Sequence, residues 1–167
     1  DYALADVIFI SGTDPYETKT ILFTEWMMRG KAKLIMVLPR KSTGAAYGEK
    51  LGGLFLQIIP GTDTLLHNAL CRVILEKGWE DQDFIKKWIA NDEEINWGMG
   101  RGPRNTPWQW RTTRWGRSFE KFKEWVLNDP HSTLEYAERT TRIPKEKIIK
   151  AAEMIAKPRE DGTRPKA

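Results

Sequence analysis

Three short segments hold most of the side chains that could do chemistry, and each follows an apolar run. In the first, Gly12-Thr13-Asp14-Pro15 with Glu17 and Thr18, the glycine lets backbone approach a ligand closely and the two threonine hydroxyls can donate hydrogen bonds. The amides that open the following helix point partial positive charge at the same place, as a phosphate requires. In the second, Pro39-Arg40-Lys41-Ser42-Thr43, a forked guanidinium and an ammonium suit an anionic or ribose-bearing ligand. The third, Pro60-Gly61-Thr62-Asp63, places a carboxylate at a helix start, where it could accept two N–H bonds from guanine. Taken singly, Gly12 reads as a turn residue, Asp14 and Asp63 as helix caps, and Arg40 and Lys41 as a solvated loop. Agreement among three segments favours a nucleotide. Neither GxGxxG nor GxxxxGK[ST] is present, which disfavours ordinary NAD or P-loop binding.

These segments must be positioned by the elements around them. Val7-Ile8-Phe9-Ile10 is too short for a helix, rich in strand formers and unbroken by polar residues, which predicts a strand buried on both faces. Asp14, Pro15 and Glu17 supply an N-cap, a proline at the first helical position and an acid in the first turn, predicting a helix to about Arg29 that Gly30 ends. Lys33 to Leu38 reads as a second strand, the residues from Pro39 to Gly53 as a Gly-rich loop, and Leu54 to Ile59 as a third strand. A helix from about Thr64 to Lys77, closed by Gly78, follows. The result is α/β: a doubly wound, mostly parallel sheet with flanking helices. In such a sheet the loops after the strands' carboxyl ends open on one edge, and ligands bind there, near a point where strand order reverses.

Further on, Asp81 caps a helix through Ile89, Ser118 opens another, Ser132-Thr133-Leu134-Glu135 forms a capping box, and Pro144 begins an amphipathic helix to about Ala156. The tail from Lys157 to Ala167 is polar and expected to be loose. The chain divides into residues 1–91, a Rossmann-like part carrying the three loops, 92–117, an irregular Arg/Trp/Gly-rich loop, and 118–167, a helical part of the same domain.

Composition sets outer limits. The 167 residues suffice for one ordinary domain, and the apolar runs are well short of the roughly 20 residues that span a bilayer. Cys71 is the one cysteine and reads as a core residue, without a partner for a disulfide, zinc or iron–sulfur site. His67 and His131 stand apart from paired carboxylates, and no metal site is expected. A net charge of +4 is modest against 23 acidic residues. Between Asn96 and Arg117, five Arg and four Trp occur without an acid, a pattern also found where single-stranded nucleic acid is stacked and neutralised. Acids return at Glu120 and Glu124, however, which favours a packed surface loop over a nucleic-acid groove.

The segments ADVIFISGTDPYET, LIMVLPRKS and LQIIPGTDTLL, in this order and spacing, resemble the molybdopterin oxidoreductase (dimethyl sulfoxide reductase) family, with its GxNPxxT-like, VDPRxT-like and RPGTDxAL-like segments. Within that family, RGPRNTPWQWRTTRWG and KAAEMIAKPREDGTRPK are similar to arsenite oxidase large subunits. The resemblance extends over essentially the whole chain. It implies an internal piece of a catalytic subunit, a molybdopterin-dinucleotide-binding domain that holds one guanine dinucleotide of a molybdenum bis(molybdopterin guanine dinucleotide) cofactor through Gly12, Thr13, Asp14, Glu17, Thr18, Pro39, Arg40, Gly61 and Asp63. Leu38 and Asp14 depart from the pattern, since many relatives carry Asp or Asn at the first and Asn at the second; ribose contacts at Leu38 would fall to backbone or Arg40.

By the same resemblance the complete enzyme oxidises arsenite to arsenate by oxo transfer at molybdenum. It would pass electrons through an iron–sulfur cluster to a Rieske-type small subunit and then to a cytochrome c or a copper protein, in the periplasm. The cluster cysteines and the residues beside molybdenum would lie outside the chain, so no catalytic residue and no metal ligand is assigned, and the piece alone is not expected to be active. A nitrate or formate enzyme of the same family is the alternative, and a nucleic-acid-binding module, revealed by steep salt dependence, is the alternative from another class.

Overall fold

The computed structural model describes residues 2–89 and 118–167. The Arg/Trp-rich excursion over 92–117 lies outside the described residues. Contacts divide the chain into two compact units, Asp1–Trp79 with Pro130–Ala167, and Glu80–Asp129.

The first unit is built on a three-stranded parallel sheet, β1 (Val7–Ser11), β2 (Lys33–Leu38) and β3 (Leu54–Gln57), in the order β1-β2-β3. Successive side chains on a strand point to opposite faces, so nearly continuous apolar strands must be covered twice. Val7, Ile35, Val37 and Leu56 face α3 (Asp63–Glu76), α6 (Leu134–Thr141) and α7 (Lys145–Ala156), and pack with Leu66, Ala69, Ala137, Ile148 and Ala152. Ile8, Ile10, Leu34, Met36, Leu38 and Phe55 face the two crossover segments and pack with Phe23, Met27 and Ala45. The expected α/β architecture is therefore present, with a helical layer on each face of the parallel sheet.

Four local expectations need correction. The helix expected from Asp14 to Arg29 is interrupted: α1 spans Pro15–Thr18, and a π-helix follows over Leu22–Met27, where the Met28 N–H reaches back to Phe23 O at 2.9 Å. Three threonine hydroxyls explain the competition. Those of Thr18, Thr20 and Thr24 donate to the carbonyls of Asp14, Tyr16 and Thr20, at 2.8, 2.9 and 2.9 Å, offering those carbonyls a partner other than a helical amide.

The Gly-rich stretch after Pro39 is not a loop throughout, because α2 occupies Thr43–Lys50 with Ser42 as its N-cap, accepting from Ala45 N at 3.2 Å. The glycines that disguise it are packing residues: a Cβ on Gly48 would lie 3.3 Å from Leu34 Cβ, and one on Gly44 would lie 2.7 Å from Asp14 Oδ1. Strand β3 ends at Gln57, two residues early. Lastly, the tail is pinned. Asp6 N donates to Lys166 O at 2.8 Å, Lys166 N donates to Asp6 Oδ2 at 2.9 Å, and Arg159 pairs with the same carboxylate at 2.7 Å.

In the second unit, Asp81 caps α4 (Gln82–Trp88) and Ser118 caps α5 (Phe119–Asn128), both as their sequences predict. Lys123 Nζ donates to Glu80 Oε1 at 2.7 Å, and that carboxylate holds the ammonium's pKa above its usual value.

Candidate functional site

Parallel pairing brings the carboxyl ends of all three strands to one edge of the sheet, and the loops leaving them carry the residues singled out in the sequence. The first loop turns at Gly12, whose φ of 72° lies in the left-handed region that favours glycine. Gly12 and Thr13 are exposed there. Asp14 then caps α1, its Oδ1 accepting from Tyr16 N at 2.9 Å.

Its other oxygen, Oδ2, is buried without a hydrogen-bond partner. A buried carboxylate oxygen left this way costs free energy unless something supplies a donor. The Thr18 hydroxyl, by contrast, already gives its proton to Asp14 O.

The second loop carries Pro39, Arg40 and Lys41, all exposed, before Ser42 starts α2. Arg40 Nη2 donates to Glu17 Oε2 at 3.0 Å, so the guanidinium of the second loop and a carboxylate from α1 are held together. Lys41 pairs with Glu49 instead. Leu38 is 7% exposed and packs in the layer that holds Phe23 and Ala45, so its side chain serves the core and is not offered at the edge.

The third loop is tied to the second by Gln57, whose Nε2 donates to Pro39 O at 3.1 Å, and by the Ile58 N–H on Leu38 O. Gly61 supplies its turn at φ 86°, and Asp63 sits half-buried in the first turn of α3. A fourth link is a close approach: Gly44 on α2 lies against Asp14 and Tyr16 on the first loop, leaving no room for a side chain. A cavity of about 310 Å³ at the carboxyl end of β1 is lined by Ser11, Thr13, Pro15 and Lys19 among others.

The nine residues expected at the site thus lie on three neighbouring loops and in the helices α1 and α3 that two of them open. Glu17 and Arg40 are in direct contact, Pro39 is joined to Gln57, and Asp63 is joined to none of the others by a hydrogen bond among the described residues. Gln57 and Gly44 are not singled out in the sequence, and Ser42 is named there within the second segment but not as a site residue. Ser42 had a detectable signal as a cap, but Gly44 and Gly48 made the following helix read as a loop.

Chemically, the set offers a guanidinium and exposed backbone at two glycine turns for an anion, and carboxylates at Asp14 and Asp63 for donors such as those on a guanine ring. At Gly12 and Gly61 a Cβ would meet nothing within 4 Å, so both turns leave room for a ligand, and Asp14 Oδ2 is an acceptor without a partner beside the first of them. Among the described residues no cluster of His, Cys, Asp or Glu could hold a metal ion, and no helix is long and apolar enough to cross a membrane.

A parallel sheet with a helical layer on each face and three loops opening on one edge is the α/β architecture in which ligands bind at the carboxyl ends of the strands. The chain belongs to the molybdopterin oxidoreductase (dimethyl sulfoxide reductase) family. It is 54% identical over 170 residues to iodate reductase subunit IdrA of Denitromonas iodatirespirans, covering 100% of this chain and 19% of that protein. It is 31% identical over 116 residues to arsenite oxidase subunit AioA of Herminiimonas arsenicoxydans, covering 56% of this chain and 14% of that protein. Among solved structures, acetylene hydratase from Pelobacter acetylenicus matches with a TM-score of 0.64 at 20% identity, over 93% of this chain and 17% of that one, a likeness of fold. The chain spans between about a seventh and a fifth of the length of these curated relatives. No family model matches it.

Proposed function

We propose that this chain grips the guanosine end of one molybdopterin guanine dinucleotide in the large subunit of a molybdenum oxidoreductase, and that the complete enzyme reduces iodate. The observation that carries the first part is the convergence of three loops on one edge, with Arg40 steered by Glu17 and Asp14 Oδ2 left without a donor. Arg40 and the turns at Gly12 and Gly61 would meet the phosphates and ribose, while Asp14 and Asp63 would accept from the base. Thr13, Thr18 and Pro39 complete the loop walls. When bound, the molybdenum centre supplies oxo exchange with an oxyanion and electron transfer. This chain's residues bind and orient the nucleotide, and none of them is assigned to the reacting atoms.

Iodate is favoured over arsenite as substrate by the extent of likeness, 54% along the whole chain against 31% over 56% of it. Arsenite oxidation is the second reading, supported by the RGPRNTPWQWRTTRWG segment, which lies outside the described residues. An iron–sulfur cluster in the complete subunit, a Rieske-type partner, a cytochrome c or copper acceptor and a periplasmic site belong to the same proposal.

The test uses the full-length protein. Arg40→Ala is expected to lose most of the bound molybdenum and of the guanine nucleotide released on acid hydrolysis, with iodate-dependent turnover falling in parallel. Unchanged nucleotide content would sink the binding role. Wild-type turnover of arsenite but not iodate would overturn the choice of substrate alone.

A further inference from the structure

The turn between α6 and α7 brings a cation to the third loop. Ile59 N–H donates to Thr141 O at 3.2 Å, while Ile59 O accepts from Thr62 N and Thr62 Oγ1 at 3.2 and 2.8 Å. The turn that leads into Asp63 is thus held to the end of α6 by its first residue. Arg142 comes next after Thr141 and is exposed between two buried neighbours, Thr141 and Ile143. Thr141 Oγ1 accepts from Ile143 N at 3.1 Å, and Arg142 N donates to Glu138 O at 3.0 Å, which fixes the backbone from which the guanidinium extends.

Two features set Arg142 apart. Its φ of 65° lies in the left-handed region at the end of a helix, a position usually given to glycine because a Cβ is disfavoured there. Stability alone would place glycine at this point. Its guanidinium also has no hydrogen-bond or ion-pair partner among the described residues, whereas Arg40 is paired with Glu17, Lys41 with Glu49, and Lys147 with Phe55 O.

A carboxylate such as Asp63 can accept from N1–H and the exocyclic amine of guanine, but it leaves O6 and N7, on the adjoining side of the ring, without a donor. An arginine fork matches those two acceptors, as a single ammonium does not. We propose that Arg142 is a specificity-determining residue of the nucleotide site, its guanidinium donating to O6 and N7 of the guanine that Asp63 holds by its N–H groups. The inference rests on the guanosine reading above and deepens it. Arg40, steered by Glu17 on the second loop, serves the phosphates, so base and phosphates are met by different arginines.

Cofactor-free full-length protein, titrated with guanosine monophosphate and with its 7-deaza analogue, which carries a C–H in place of N7, tests the assignment. Wild type is expected to bind the natural nucleotide about threefold or more tighter than the analogue, as the loss of one half of a bidentate contact requires. Arg142→Gly is expected to erase that preference while the thermal midpoint stays level or rises, because glycine suits the left-handed backbone. A residue that only caps α6 would change the midpoint and not the preference. Arg142→Lys, which keeps the charge without the fork, is expected to lose the preference as well. Wild type indifferent to N7, or either variant keeping the wild-type preference, would overturn the inference. Arg40→Ala weakening both nucleotides while Arg142→Gly weakens neither would overturn it and leave the guanosine reading standing; wild type that binds neither nucleotide would overturn both.

Discussion

Glu17 and Arg40 lie 23 residues apart in the chain and 3.0 Å apart in the fold, a carboxylate from α1 on a guanidinium from the loop after β2. The side chains are 41% and 70% exposed, so the pair adds little to stability, under about 1 kcal/mol for a surface ion pair. Its value is positional. The guanidinium is kept over the edge, where a phosphate would replace or share the carboxylate.

Glu17→Gln is therefore expected to leave the unfolding midpoint of the full-length protein nearly unchanged, within about 0.5 kcal/mol. Retention of the nucleotide during gel filtration should become more salt-sensitive, because Arg40 loses its orientation but not its charge. A large stability loss with unaltered nucleotide retention would show that the pair is structural only.

Gly44 makes a sharper prediction. A Cβ there would lie 2.7 Å from Asp14 Oδ1 and 2.9 Å from Tyr16 Cβ, so α2 or the first loop must move. Gly44→Ala is expected to cost about 1–3 kcal/mol as overpacking, and to lower nucleotide content by displacing Asp14. Gly48→Ala, whose Cβ would meet Leu34 Cβ at 3.3 Å, should cost less and spare the nucleotide. Chemical denaturation of both variants, with nucleotide analysis beside it, separates the two effects; equal behaviour would refute the contact.

Gly44 also shows where the sequence stops being readable. The three apolar strands, the caps at Asp14, Asp81 and Ser118, and the three loops announce themselves because each depends on neighbours close in the chain. A glycine admitted because another segment passes within contact distance looks, in the sequence, like a glycine in a turn. The helix over Thr43–Lys50 is hidden in the sequence for that reason, since Gly44 and Gly48 answer to Asp14 and Leu34, 30 and 14 residues earlier. The tail reads as loose for the same reason, because Asp6, the residue that pins it, is 160 positions from Lys166. In the site, Leu38 could be seen to lack a ribose acceptor, but that its side chain belongs to the core follows only from the packing of Phe23 and Ala45 around it.

Asp6 links the tail to pH. The Lys166 amide, first, and the Arg159 guanidinium hold its carboxyl below the usual carboxylate range. A folded pKa below the unfolded one means stability that is present above the unfolded value, near about 4, and lost as pH falls through the folded value. Asp6→Asn removes that contribution. The gap in thermal midpoint between wild type and Asp6→Asn is expected to be largest near neutral pH and to close on acidification below about pH 4. A gap that stays constant down to pH 2 would show that the charge is not what holds the tail.

Cys71 stands on α3 and is half-buried, and burial pushes its thiol above the ordinary cysteine value. The reactive species is the thiolate, so a raised pKa and restricted access act in the same direction. Alkylation by iodoacetamide at about pH 8, followed on the Cys71 peptide by mass spectrometry, is expected to run more than about tenfold slower in the folded protein than in urea. The rate should climb with pH beyond the range where an ordinary cysteine levels off, since the thiolate fraction is still rising there. Rapid labelling of the native protein at neutral pH would instead require an electropositive, open setting for this thiol. It would remove Cys71 from the structural residues of α3 and make it a reactive group.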